Sequence, residues 1–327
     1  MIHRNLCTLA CILWSALATH ASEPLPSWND SSSRRAILSF VAKVTDKSGG
    51  SFVPPAQRIA VFDNDGTLWP ENPIPFQMSF TIEEIKRQLP QHPEWKSDKD
   101  IQAALSGDFP PLLRDHFRGL LHIISVAGSG MTTDEFAASV RRWFASAKHP
   151  RFNKAYDGLA YQPMQELLAY LRANGFKNYI VSGGGLDFMR AFSERVYGVV
   201  PEQVVGSHTA VVYELRDSGP VLVKTMNRLF VDDGAAKPEA IHQFIGRRPI
   251  AAFGNSDGDK EMLEYTTIGN PLPSLGLLIH HTDKEREYAY DAKPQSSGKL
   301  ITALAEAPQR GWVVTDMKKD WRLIFSE

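Results

Sequence analysis

The sequence predicts an α/β fold: a Rossmann-like parallel sheet with helices on both faces. Three observations carry this expectation. From Pro163 onward, short runs rich in Val, Ile, Leu and Phe alternate with stretches of helical spacing, the pattern of strands joined by crossover helices. Several of these runs end in Gly, Asp, Asn or Ser, where a chain turns. From about Pro73 to Phe152 the periodicity is helical throughout, with no convincing strand. That stretch reads as an all-helical insert placed after the first strand.

Taken in order, the N-terminus comes first. Arg4 precedes an apolar run from Leu6 to Leu17, and Thr19 and Ala21 occupy the two positions a signal peptidase reads. Residues 1–21 read as a signal peptide, too short and wrongly flanked for a membrane span. The mature protein is therefore expected in the periplasm or outside the cell, with no membrane attachment after cleavage. Cys11 raises lipoprotein processing as an alternative, but Thr8 stands where that signal prefers an aliphatic residue. Both cysteines, Cys7 and Cys11, fall in this segment. Cleavage would leave no disulfide, no cysteine metal site and no thiol nucleophile.

A leading helix is expected over roughly Ser33 to Thr45, then a buried strand at Arg58–Phe62. The insert offers helices at Ile74–Leu89, Leu112–Val126 and Thr133–Ala147, the last opened by Thr132 or Thr133 with Asp134 and Glu135. A helix at Pro163–Asn174 stops at Gly175, a strand follows at Lys177–Ser182, then a helix at Leu186–Tyr197 and a strand at Val204–Ser207. Asp217-Ser218-Gly219-Pro220 marks a hairpin between Thr209–Arg216 and Val221–Thr225. Helices at Lys237–Ile245 and Asp259–Tyr265 alternate with strands at Ile250–Phe253 and Leu275–His280. The tail, Gly311 to Phe325, adds a strand or packs on the core. With 327 residues and a net charge of −1, the chain is long enough for a sizeable core and lacks the basic footprint of a nucleic-acid binder.

Chemistry gathers where these strands end. Asp63 and Asp65 follow the first strand, and side chains at i and i+2 lie on one side of an extended chain. Two close carboxylates repel, so they call for a cation or a shared proton. Gly66 permits a sharp turn, and Thr67 offers a hydroxyl and an amide. Ser182-Gly183-Gly184-Gly185 sets a hydroxyl and glycine amides before a helix, an arrangement suited to an anion. Lys237, followed by Pro238, sits at a helix start. Gly254-Asn255-Ser256-Asp257-Gly258-Asp259 is an oxygen-rich turn able to complete a hard-cation site. Trp69, Phe76 and Phe80 are weaker candidates for lining a pocket. His280-His281-Thr282-Asp283, Arg286, Tyr288 and Tyr290 read first as structural.

In this order and spacing, the four elements resemble the motifs of the haloacid dehalogenase superfamily, on its phosphatase side. The match covers Arg58 to Asn72 and Ala160 to the end. It implies a core of residues 22–72 and 160–327 and, as in phosphoserine-phosphatase-like members, a helical cap over 73–159. The resemblance implies Asp63 as nucleophile and Asp65 as acid/base. It gives Thr67, Ser182, Gly183 and Lys237 to the phosphoryl group, and Asp63, the carbonyl of Asp65 and Asn255 to Mg2+, with Asp259 acting on the cation directly or through water. The implied activity is a magnesium-dependent phosphomonoesterase working through an aspartyl-phosphate on a small phosphorylated substrate. An acid at Asp65 favours esters over haloacids, because an alkoxide leaves with a proton and a halide does not. The family usually has Asp where this chain has Asn255, so Asp257 or Asp259 is an alternative ligand. Two other readings share these residues: transfer of the phosphoryl group to an alcohol, and a phosphate-ester binding protein without catalysis.

Overall fold

The computed structural model describes residues 23–326; the signal-peptide reading and both cysteines lie outside the described residues. Ser31 accepts a hydrogen bond from the Arg34 amide and opens α1 (Ser32–Thr45), and β1 (Ile59–Phe62) follows. All four residues of β1 are buried, as expected of a parallel strand covered on both faces. The insert comprises α2 (Phe76–Gln88), α3 (Lys99–Ser106), α4 (Arg114–Gly128) and α5 (Thr133–Ser146). Next come α6 (Gln162–Ala173), β2 (Lys177–Gly185), α7 (Leu186–Arg190), α8 (Ser193–Tyr197) and β3 (Val204–Ser207). β4 (Val211–Arg216) and β5 (Gly219–Lys224) form an antiparallel hairpin. The chain ends with α9 (Ala236–Ala240), β6 (Ala251–Gly254), α10 (Lys260–Thr267), β7 (Leu275–His280), α11 (Thr302–Arg310), β8 (Val313–Asp316) and α12 (Met317–Asp320).

Six strands form one parallel sheet in the order β3-β2-β1-β6-β7-β8. Successive β1 residues serve opposite faces. Ala60 and Phe62 join the core under α6 and the C-terminal tail, while Ile59 and Val61 join the core under α10 and α11. Phe62 stacks on Phe253 of the neighbouring strand, with centroids 4.5 Å apart. From β1 the order runs outward through β2 and β3, whereas β6, β7 and β8 extend the other way. β1 and β6 thus border the point where strand order reverses, and a crevice opens there at their carboxyl ends. The insert has its own core of Met78, Ile82, Ile85, Ile101, Ile123 and Val126. The β4–β5 hairpin leans on it through a bridge between Thr132 and Val223. No described helix is long and apolar enough to cross a membrane.

The sequence-based expectations differ from the structure in four places. α3 is an unanticipated helix, capped by the Asp98 carboxylate and closed by Gly107 at φ +79°. The expected helix over Leu186–Tyr197 breaks at Phe192, which leaves helical φ and stacks on Trp69 with centroids 4.6 Å apart. The helix expected to run to Ile245 ends in a π-helical turn, Ile241–Ile245. β2 continues through its three glycines to Gly185 rather than stopping at Ser182.

Candidate active site

Asp63 and Asp65 leave the end of β1, Ser182 and Gly183 lie near the end of β2, and Lys237 lies in the first turn of α9. All five line one cavity of about 470 Å3 above the sheet crevice. The central contact is a buried trio. Lys237 Nζ donates to Asp63 Oδ1 at 2.9 Å and to Asp259 Oδ1 at 2.5 Å. One ammonium thus faces two carboxylates, all three side chains buried. Burial, reinforced by Asp259 and Asp65, raises the Asp63 carboxyl well above the ordinary range, with Lys237 opposing. Lys237 itself stays protonated: burial disfavours its charge, but Asp259 and Asp63 outweigh it.

Asp65 is held by Trp69, whose indole Nε1 donates to Asp65 Oδ1 at 2.7 Å. Burial lifts the Asp65 carboxyl to about 6, with the Trp69 bond and Lys237 restraining it. Trp69, Phe76 and Phe80, candidates for lining the pocket, instead form a fully buried aromatic cluster. Trp69 reaches the site only through its indole N–H.

The loop joining these acids tolerates no side chain at Gly66. Its φ is +77°, and a Cβ there would lie 2.2 Å from Asn255 Nδ2 and 2.3 Å from Glu71 Oε1. Behind the loop, His281 Nε2 is 2.8 Å from the Gly66 carbonyl and its Nδ1 is 3.0 Å from Glu287 Oε2. Both partners are acceptors, so both ring nitrogens carry protons. The pKa is raised: burial lowers it, but Glu287 and then Glu71 outweigh that cost. His281 is therefore a buried imidazolium bracing the turn that presents Asp63 and Asp65. Arg286 is equally structural, bonding Asp283 and carbonyls near the C-terminus.

Three of the expected site residues do not face the cavity. The Thr67 hydroxyl donates to Asn255 Oδ1 at 3.1 Å, behind the acids. Asn255 Nδ2 donates to Glu71 Oε1 at 2.6 Å. Asp259 is fully buried: one oxygen takes Lys237, and the other accepts from the Asn255 and Ser256 amides. Asp259 was expected to serve a cation directly or through water; here its oxygens place Lys237 and close the turn. Asp257 accepts from the Ile301 and Ala303 amides and holds the start of α11. The glycine amides also differ from expectation. The Gly184 amide bonds Ser182 Oγ at 3.2 Å, and the Gly185 amide bonds Gln77 Oε1 at 2.7 Å. Of the three glycines, Gly183 and Gly184 line the cavity, and only Gly183 has neither of these side-chain ties.

Glu71 escaped sequence reasoning. It lines the cavity, accepts from Asn255 Nδ2 and from the Tyr290 hydroxyl at 2.8 Å, and is raised by burial to about 8. No periodicity marks it; the only signal was its place on the same loop, six residues past Asp65. Gln77 was missed for the same reason.

The donor set fits a hard divalent cation. Asp63, Asp65 and Asp259 outnumber Lys237 in the buried centre, and burial and mutual repulsion raise the acids. The available donors are carboxylate, amide and carbonyl oxygens, the preference of magnesium. A separate group, Asp98, Asp100 and His122, lies away from the cavity. There Asp98 caps α3 and pairs with His122 at 2.8 Å.

An α/β sheet with acids at its switch point, a buried lysine and a hydroxyl on the next strand make up the candidate site of a hydrolase. The family model for haloacid dehalogenase-like hydrolases matches residues 60–264, and the chain belongs to that family. A functionally unknown protein from Anaerococcus prevotii DSM 20548 shares the fold, with a TM-score of 0.51 and 18% identity over 76% of this chain and 85% of that one. A protein of unknown function from Bordetella pertussis Tohama I gives a TM-score of 0.48 at 15% identity over 80% and 99%. A phosphoserine phosphohydrolase-like protein from Francisella tularensis subsp. tularensis SCHU S4 gives 0.40 at 16% over 77% and 98%. No curated protein matches the chain.

Proposed function

We propose that this chain is a magnesium-dependent phosphomonoesterase that uses Asp63 as its nucleophile. The observation that carries the reading is the pair of differently held acids. Asp63 is gripped by Lys237, while Asp65 is gripped by Trp69 and titrates near neutrality. A nucleophile needs an oxygen fixed in place, which Lys237 gives Asp63, and an acid/base needs a pKa close to the working pH. Asp63 attacks phosphorus, and the bond from phosphorus to the ester oxygen breaks. Asp65 donates its proton to that oxygen, so the alcohol leaves neutral. Asp65, now a carboxylate, takes a proton from water as the water oxygen attacks phosphorus. The bond to Asp63 breaks and inorganic phosphate departs. Lys237, the Ser182 hydroxyl and the Gly183 amide hold the charge spread over the phosphoryl oxygens.

Asp63, the Asp65 carbonyl and Asn255 Oδ1, which takes a single hydrogen bond from Thr67, are the groups that would hold Mg2+, which when bound neutralises phosphoryl charge. Asn255 and Thr67 also keep the loop in place, and Asp259 serves through Lys237. Asp63→Asn should abolish turnover of an aryl phosphate while circular dichroism and melting remain those of a folded protein. Retained turnover would sink the assignment. We also propose export by cleavage after Ala21; a mature protein beginning at Met1 in intact-mass analysis would exclude it.

A further inference from the structure

The catalytic cavity has two unlike walls. Its floor and core side carry the charges, Asp63, Asp65 and Lys237, with Asp233 and Lys299 nearer the rim. Among the described residues, the wall contributed by the insert is mainly apolar, built from Met78, Leu113, Phe117, Leu120, Leu121 and Ile124. The amide of Gln77, on the same wall, already accepts from the Gly185 backbone.

This apolar wall is not the ordinary core face of α4. Ile123, Val126 and Ala127 fill that role and are buried against α2 and α3. Leu121 and Ile124 lie on another side of the helix and are only partly buried, because what they face is the cavity, while Leu120 sits at the border, lining the cavity and packing on the insert core. A helix packed on one side would normally show polar residues there. Partly exposed apolar side chains gathered on one wall, opposite a wall of acids, hydroxyls and lysine, suit a ligand with one charged and one apolar end.

Resting on the phosphatase reading, we propose that the alcohol part of the substrate is apolar, an alkyl or aryl group seated against this α2–α4 wall. The phosphate binds on the charged floor, so the group esterified to it projects towards the insert. A zwitterionic alcohol would have to shed water there. Glu71 is a poor partner for an ammonium, because it is buried and its Oε1 already accepts from Asn255 Nδ2 and the Tyr290 hydroxyl. Lys299 is exposed, where a charge pair adds little.

The experiment is a chain-length series with the full protein and Mg2+: methyl to n-hexyl phosphate, beside O-phosphoserine and phosphocholine. The leaving alcohols from ethyl upward differ little in chemistry, so kcat/KM reports the wall. Expected is a rise of about fourfold per methylene, with phosphoserine and phosphocholine at least about 100-fold below hexyl phosphate. Inhibition by the matching n-alkylphosphonates should tighten along the same series, and Leu120→Ala and Met78→Ala should flatten it. A flat series, or phosphoserine turned over as well as butyl phosphate, overturns the proposal and leaves the phosphatase reading intact. No turnover of any ester, with alkylphosphonates still binding more tightly as they lengthen, overturns the phosphatase reading and supports the apolar wall.

Discussion

Asp63, Lys237 and Asp259 form a chain of charges whose middle member cannot be removed cheaply. Lys237→Met would leave two buried carboxylates without their cation, a change that costs about 3–5 kcal/mol where one partner of a buried pair is lost. The expected outcome is a lowered denaturation midpoint in urea and loss of turnover. Adding Asp259→Asn should recover part of the stability but none of the activity. Asp232 behaves differently. It is fully buried, neither of its carboxylate oxygens has a partner within the protein, and burial raises its pKa to about 7, opposed by Lys237. Its ordinary value is 3.8, so between about pH 4 and 7 the folded state binds the proton that the unfolded state has lost. Stability therefore falls as pH rises through that window. Asp232→Asn should melt close to the native protein at pH 4 and above it at pH 8, a difference on the order of 2–4 kcal/mol. Equal melting points at pH 8 would contradict it. Asp63, Asp65 and Ser182 were legible in the sequence because each stands beside a turn residue at the end of an apolar run, and Lys237 because Pro238 marks it as a helix start. Glu71 and Asp232 were not, since their burial comes from segments far away in the chain.

At the level of elements, the loops after β1 and β2 are tied to each other through the insert and the tail. Gln77 on α2 accepts from the Gly185 amide at the end of β2, so the helical insert sets the end of the strand that carries Ser182. Gln77→Leu keeps the size but leaves that amide unpaired. It should raise KM for an aryl phosphate by about tenfold with a smaller change in kcat. Gly66→Ala is the harsher test. The collisions with Asn255 and Glu71 and the left-handed backbone act together, so the expected result is a loss of activity with a lowered melting temperature. His281 braces the same turn from behind. The hairpin, the parallel strands and the principal helices were readable from periodicity and turn chemistry. The end of β2 was not: its glycines suggested a loop, and pairing with β3, with a register shift between Ser182 and Gly185, keeps them in the strand. The break at Phe192 likewise follows from a packing demand, the ring seated on Trp69.

Across the whole molecule, the two ends of the described chain close the core together. Trp321 is fully buried, its ring centroid 5.8 Å from that of Trp28 and 5.3 Å from that of Tyr161, and Trp28 and Trp321 bridge through their backbones. Trp321→Ala should cost about 3–5 kcal/mol in chemical unfolding, although it lies outside the catalytic cavity. A loss below 1 kcal/mol would mean the tail is not integral to the core. The sequence could offer a strand or packing for this tail; the structure supplies both, with β8 pairing to β7 and α12 following it.

What the sequence determined by itself was the alternation of strands and helices, and with it the parallel sheet, the interrupting insert and the ends at which polar residues would gather. Those features depend on neighbours within a few positions, where periodicity and turn chemistry act directly. Tertiary structure alone decided which polar side chains share the cavity and which are spent holding others. Asp259 lies four residues from Asn255, yet it is Lys237 from a different element that takes one of its oxygens. The second apolar side of α4 is likewise written in Leu121 and Ile124, but only the fold turns it towards the acids, because burial and pairing between distant segments are settled when the chain closes on itself.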